Sequence, residues 1–254
     1  MKKTILILIF FLIFCNYSVM NYQGNLTKAI PAPPDGYRVY SSKEYQPKKI
    51  NTDEEKIVFI VDFSNSMNEY LENKRKIDVA LSALKEILPQ IPKSAYIGLR
   101  IYGYRNGVTP LDACLASKLV VPIGQNNFGE IYNALERIAP TGMTPITYSI
   151  KQSLKNDFGL WQGKKRIIIL TDGEENCDES PCQYALKLIK QRNDVKIDVI
   201  AFSFADQSGS EQLRCAALIT NGKFYNAESY GDLVNSLRDS FKTEKTVEGI
   251  IIEK

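Results

Sequence analysis

Two short runs of oxygen-bearing side chains carry the chemistry of this sequence. Asp62-Phe63-Ser64-Asn65-Ser66 follows the apolar stretch Ile57–Val61, and Thr171-Asp172-Gly173 follows a second such stretch, Arg166–Leu170. Carboxylate and hydroxyl oxygens gathered where hydrophobic strands run out are the donors that a hard divalent cation takes. The D-x-S-x-S spacing by itself is weak, and arises by chance in roughly one chain of this length in ten to twenty. Its place at a strand end, matched by a second acidic strand end more than a hundred residues later, gives it weight. Taken singly, Ser64 and Ser66 read equally well as caps of the next helix, and Asp172-Gly173 as an ordinary turn. Histidine is absent. That removes Ser-His-Asp and Cys-His catalysis and the usual zinc sites. A hydrolase that activates water on a metal is the weaker alternative, because no general base is evident.

The elements around these runs alternate between strand and helix. Ile57–Val61 and Arg166–Leu170 are continuous apolar runs, as expected of strands buried on both faces. Further strands are expected at Ala95–Tyr104, Lys118–Val121, Lys196–Phe202 and Phe224–Tyr225. Helices are expected through Ile77–Leu88, through Ile131, Leu135 and Ile138, over Cys182–Arg192 and Glu211–Thr220, and through Leu233–Phe241. The loop Thr141-Gly142-Met143-Thr144-Pro145 feeds one more helix, with Pro145 suited to its first turn. The alternation predicts an α/β domain: a doubly wound, mostly parallel, six-stranded sheet with helices on both faces and one short antiparallel edge strand. In strand order 3-2-1-4-5-6 the first and fourth strands lie side by side where the winding reverses, and ligands bind outside their carboxyl ends. Asp62 and Asp172 meet there, within reach of the Thr144 loop.

From about Ile57 to Phe241 the chain resembles a von Willebrand factor type A (vWA) domain, a Rossmann-like fold with a metal-ion-dependent adhesion site. The triplet Asp62-x-Ser64-x-Ser66, Thr144 in its Thr141–Pro145 loop, and Asp172 of Thr171-Asp172-Gly173 match that site. The segments Thr171–Cys177, Pro181-Cys182, and Cys215 followed by Gly222-Lys223-Phe224-Tyr225 are similar to the exported bacterial branch. The resemblance implies Mg²⁺, with Mn²⁺ or Ca²⁺ as other occupants. Ser64, Ser66 and Thr144 would be direct ligands, and Asp62 and Asp172 would bind directly or through water. Thr141 is a poorer fit to the pattern than Thr144. Neutral hydroxyls leave such an ion under-compensated, so a protein partner presenting an Asp or Glu carboxylate is the implied ligand. Asn65 stands where the family usually has glycine; asparagine is the next most tolerant residue of positive φ.

Composition bounds the rest. The 254 residues are 44% hydrophobic and 24% charged, enough for one substantial core. A net charge of +3 with no basic, aromatic-interleaved stripe gives no case for nucleic acid. Residues 1–18 read as an export signal: Lys2 and Lys3, then the apolar stretch Thr4–Phe14. Cys15 stands where a lipoprotein signal places its lipidated cysteine, although Phe14 is bulky for the residue before it. Lipidation at Cys15, cleavage near Ser18 and an uncleaved anchor all stay open. Each is expected to place the protein in the periplasm or at the cell surface. Residues 19–54, with Pro31, Pro33 and Pro34, read as a flexible arm and membrane tether, residues 55–242 as the domain, and 243–254 as a tail. The strand-like run in that tail keeps open a second reading, an assembly subunit of an envelope complex with an unused metal site.

Cys114, Cys177, Cys182 and Cys215 are expected to form disulfides in an exported protein. Short spacing favours Cys177 with Cys182, whereas Cys114–Cys177 and Cys182–Cys215 join loops at one end of the sheet; the second scheme is the preferred one. Glu174, Glu175, Asp178 and Glu179 read as a solvated rim. Lys164-Lys165-Arg166 reads as a solvated strand edge, with Trp161 packed under the same connection.

Overall fold

The computed structural model describes residues 54–204 and 207–242. The export signal with Cys15, all but the last residue of the arm, and the tail lie outside the described residues.

Eight strands and seven helices follow one another in the described chain. The strands are β1 (Lys56–Asp62), β2 (Tyr70–Leu71), β3 (Lys74–Arg75), β4 (Tyr96–Tyr102), β5 (Ser117–Gly124), β6 (Lys165–Thr171), β7 (Val195–Phe202) and β8 (Phe224–Ala227). The helices are α1 (Lys76–Ile87), α2 (Pro110–Cys114), α3 (Phe128–Leu135), α4 (Ile146–Gln152), α5 (Pro181–Gln191), α6 (Gln207–Ile219) and α7 (Tyr230–Ser240). The main sheet runs β5-β4-β1-β6-β7-β8. All its pairs are parallel except β4–β5. Its order is the expected 3-2-1-4-5-6 arrangement of a doubly wound sheet.

Alternation along the central strands sorts the core into two layers. Ile57, Phe59 and Val61 of β1 face a layer with Ile77, Ala80, Leu84 and Ile87 of α1, Ile131 and Leu135 of α3, and Leu233 and Leu237 of α7. Val58 and Ile60 face the other layer, with Ile146 and Ile150 of α4, Leu188 of α5, and Leu213 and Ala217 of α6. Every residue of β1 and β6 is buried, which is why both read as unbroken apolar runs.

Three expectations need correcting, and two elements add to them. The antiparallel edge strand is not short: β5 has 8 residues. Pro122 made the run look as if it ended at Val121, but an edge strand tolerates proline. The hairpin β2–β3 and the short helix α2 were not anticipated. The α3 helix stops at Leu135, short of Ile138. Lys165 and Arg166 are not a solvated edge, since both are buried. Lys165 Nζ pairs with Asp194 at 2.8 Å. Arg166 pairs with Glu55 at 2.8 Å, lies 3.7 Å from Asp198, and donates to the Ser240 carbonyl at 2.9 Å. Trp161 packs against Tyr96, ring centroids 5.2 Å apart.

Candidate metal centre

The site begins where β1 ends. Phe63 N still donates to Tyr102 O at 2.9 Å, and the chain then turns through a 3₁₀ segment, Asn65–Asn68. Ser64 occupies the N-cap position of that turn, yet its side chain makes no capping bond; the cap reading of Ser64 fails. The turn instead brings the Ser64 and Ser66 hydroxyls within 3.0 Å of each other. Ser66 Oγ donates to Asp172 Oδ1 at 2.7 Å. Asn65 does not take a positive φ. The chain therefore needs no glycine there, and the departure from the usual pattern strains nothing.

Backbone contacts hold this turn against its neighbours. Asn65 N donates to Gly142 O at 2.9 Å, and Gly142 N to Gly103 O at 2.7 Å. Ser64 and Gly142 form an isolated parallel bridge. The three segments approach so closely that a Cβ on Gly103, whose φ is +70°, would lie 2.5 Å from Ser64 N. Glycine adopts that conformation at no steric cost and alone leaves that space.

The two acidic strand ends do meet. Asp62 is wholly buried, and Asp172 is 3% exposed. Asp62 Oδ1 accepts from Ser64 N at 2.6 Å and Oδ2 from Thr171 Oγ1 at 2.7 Å. Burial, then the charge of Asp172, push the Asp62 carboxyl up to about 6, against the pull of the Ser64 and Thr171 hydrogen bonds. Burial also raises Asp172, opposed by its bonds from Ser66 and Lys76. Tyr102, opposite Asp62 across the β1–β4 pair, is raised well above its ordinary value by burial and then by the charge of Asp62.

Thr144 is brought to the same end of the sheet and is 3% exposed. Its backbone N donates to Asn176 Oδ1 at 2.7 Å. Glu175 Oε2 accepts from Thr147 N at 2.6 Å, and its Oε1 from Cys177 N at 3.1 Å. Glu175 is thus not part of a solvated rim; it ties the loop after β6 to the start of α4, and burial raises its pKa. Glu179 is half-buried and pairs with Lys151, while Glu174 and Asp178 are exposed. Disulfides Cys114–Cys177 and Cys182–Cys215, with Cα atoms 5.6 and 5.2 Å apart, follow the preferred pairing.

Three residues at the site had no assigned role in the sequence. Lys76, first residue of α1 and 5% exposed, places Nζ 2.9 Å from both Asp172 Oδ2 and Glu69 Oε2. Burial works against its charge, but these bonds outweigh it and raise the pKa. Thr171 orients Asp62, and Asn176 holds the Thr144 loop. Thr171 and Asn176 lay inside motifs that resemblance had already singled out, which was the available signal; Lys76 carried none.

The donors suit a small hard cation. Oxygens bound cis at 2.0–2.1 Å in an octahedron lie about 2.9 Å apart. The Ser64–Ser66 and Ser66–Asp172 separations of 3.0 and 2.7 Å bracket that edge. Among the described residues no group of three or more His, Cys, Asp or Glu side chains is placed to hold a metal, so any ion here would rely on hydroxyls beside its two carboxylates.

Comparison with known proteins decides the lineage. The profile of the von Willebrand factor type A domain matches residues 56–239. The chain belongs to the von Willebrand factor type A family. Among relatives of this vWA chain is YwmD of Bacillus subtilis (strain 168), an uncharacterised protein that is 28% identical over 179 residues, covering 68% of this chain and 79% of YwmD. Proximal thread matrix protein 1 from the mussel byssus, solved with a zinc-occupied MIDAS motif, has a TM-score of 0.55 at 19% identity, over 74% of this chain and 45% of its own. The pilus adhesin SpaC from Lactobacillus rhamnosus GG has a TM-score of 0.58 at 17% identity, over 76% of this chain and 31% of its own. The vWA chain thus spans under half of either solved neighbour, and the likeness to them is one of fold.

Proposed function

We propose that this vWA domain is an exported binding module whose metal centre captures a carboxylate of a protein partner. Ser64, Ser66 and Thr144 would hold Mg²⁺ directly, with Asp62 and Asp172 bound directly or through water; Mn²⁺ and Ca²⁺ are other occupants. The bound ion would supply a Lewis-acidic coordination position. The protein's own part is to fix neutral hydroxyls beside its two carboxylates, so that the ion would keep an affinity for a further carboxylate. An Asp or Glu side chain of the partner would then complete the shell. The observation that carries this reading is the pair of contacts joining Ser64, Ser66 and Asp172, residues from two strand ends, at the spacing of an octahedral edge. The zinc-occupied motif of the mussel protein and the adhesin role of SpaC support it as precedents on the same fold. The apolar leader and Cys15 support export, with the first residues as an envelope tether.

Calorimetric titration of the protein with Mg²⁺ and Mn²⁺, beside Asp62→Ala, tests the reading. Saturable binding lost in the variant is expected. Equal binding by the two proteins would refute it. An envelope partner that stays bound in EDTA would favour the assembly-subunit reading instead.

A further inference from the structure

Lys76 breaks two local rules at once. It is a buried lysine, and it places an ammonium in the first turn of the 12-residue helix α1, against the helix dipole. Such departures mark places where something other than fold stability is served. Its Nζ lies 2.9 Å from Asp172 Oδ2, and Asp172 Oδ1 accepts from Ser66. One of the two carboxylates of the centre is therefore paired with a cation of the chain itself, which it shares with Glu69. The second partner of Lys76, Glu69, is 65% exposed at its side chain, so water screens its charge far more than that of Asp172.

We propose that Lys76 is a built-in counter-charge that sets the preference of the metal centre for anionic partners. The inference rests on the metal reading above. Asp62 and Asp172 together carry two negative charges, enough to neutralise a divalent ion. With Lys76 beside Asp172, and the solvent-exposed Glu69 offsetting it only in part, the centre keeps up to about one net positive charge. That excess weakens the hold on the metal and strengthens the hold on an incoming carboxylate, because both act over short distances in a poorly screened site. Removing the charge must therefore move the two affinities in opposite directions. A merely structural role predicts that both fall together.

The test compares the parent chain with Lys76→Met, of similar length without charge, and with Lys76→Arg, which keeps the charge. Mn²⁺ affinity is read by calorimetry, and acetate binding to the Mn²⁺-loaded protein by water-proton relaxation. Lys76→Met is expected to bind Mn²⁺ about tenfold more tightly and acetate at least about threefold more weakly, with Lys76→Arg within about twofold of the parent in both. Unchanged or weaker Mn²⁺ binding by Lys76→Met, or undiminished acetate binding, overturns the inference. If Lys76→Met shows no cooperative thermal unfolding, Lys76→Gln is read by the same criteria. A parent chain that binds no metal overturns the metal reading itself, and this inference with it. A parent that binds while Lys76→Met fails to tighten overturns this inference alone.

Discussion

The two disulfides offer a controlled comparison, because they close loops of similar consequence for stability but stand in different relation to the site. Cys114–Cys177 spans 63 residues and Cys182–Cys215 spans 33. Loop-closure entropy converts these to about 4.3 and about 3.7 kcal/mol of stability at 25 °C. Replacing either pair by serines should therefore lower the unfolding free energy by nearly the same amount, about 4 kcal/mol, in urea titrations. Metal binding should separate them. Cys177 directly follows Asn176, whose Oδ1 accepts from Thr144 N, whereas Cys182 and Cys215 join α5 to α6. Freeing Cys177 puts that one hydrogen bond at risk, worth about 1 kcal/mol, or about fivefold in Kd. Calorimetry with Mn²⁺ should show about fivefold weaker binding for Cys114→Ser/Cys177→Ser and an unchanged Kd for Cys182→Ser/Cys215→Ser. Equal Kd values for the two double variants would refute the reasoning, and would mean that the Glu175 bonds alone hold the loop.

Three further outcomes follow. Gly103→Ala puts a methyl group 2.5 Å from Ser64 N at a φ of +70°; it should lower stability by about 1–3 kcal/mol in urea and weaken Mn²⁺ binding in calorimetry. Arg166→Met leaves Glu55 and Asp198 without their guanidinium and should lower the unfolding free energy by about 3–5 kcal/mol, with a loss below about 1 kcal/mol counting against a structural role for the pair. Asp239 is held at about 2, first by the Tyr225 hydroxyl at 2.7 Å. A folded pKa below the ordinary value, about 3.9, contributes stability that is present above about 4 and lost as pH falls towards about 2. In Tyr225→Phe the Asp239 carboxyl resonance should titrate closer to its ordinary value, and that part of the acid dependence should flatten.

The sheet was legible because both central strands are buried on both faces, leaving continuous apolar runs with oxygen side chains where they stop. Alternation predicted a doubly wound sheet, and within the 3-2-1-4-5-6 order of such sheets Asp62 was expected to meet Asp172. Buried charge was not legible. Lys165 and Arg166 open a strand, where charge ordinarily meets water, and their partners Asp194, Asp198 and Glu55 come from distant parts of the chain. Lys76 opens a regular amphipathic helix, and no periodicity distinguishes an ammonium turned inwards from one in solvent. The β2–β3 hairpin was missed for a different reason. Its positive-φ position is Glu72, at 56°, a residue type that gives no turn signal beside glycine or asparagine.

Arg166 also bears on how this domain can be built into larger proteins. One guanidinium reaches Glu55, just before the first strand, and the carbonyls of Ser240 and Lys242, at the close of the last helix. Entry and exit of the folded unit are thus fastened side by side, at the pole away from Asp62 and Asp172. A unit whose two ends adjoin can be spliced into a loop of a host chain without stretching either partner. The neighbours of which this chain covers 45% and 31% carry the same fold inside longer polypeptides. The clasp is what would let such a module be moved as a piece, with the pole of Asp62 and Asp172 undisturbed by whatever is joined behind it.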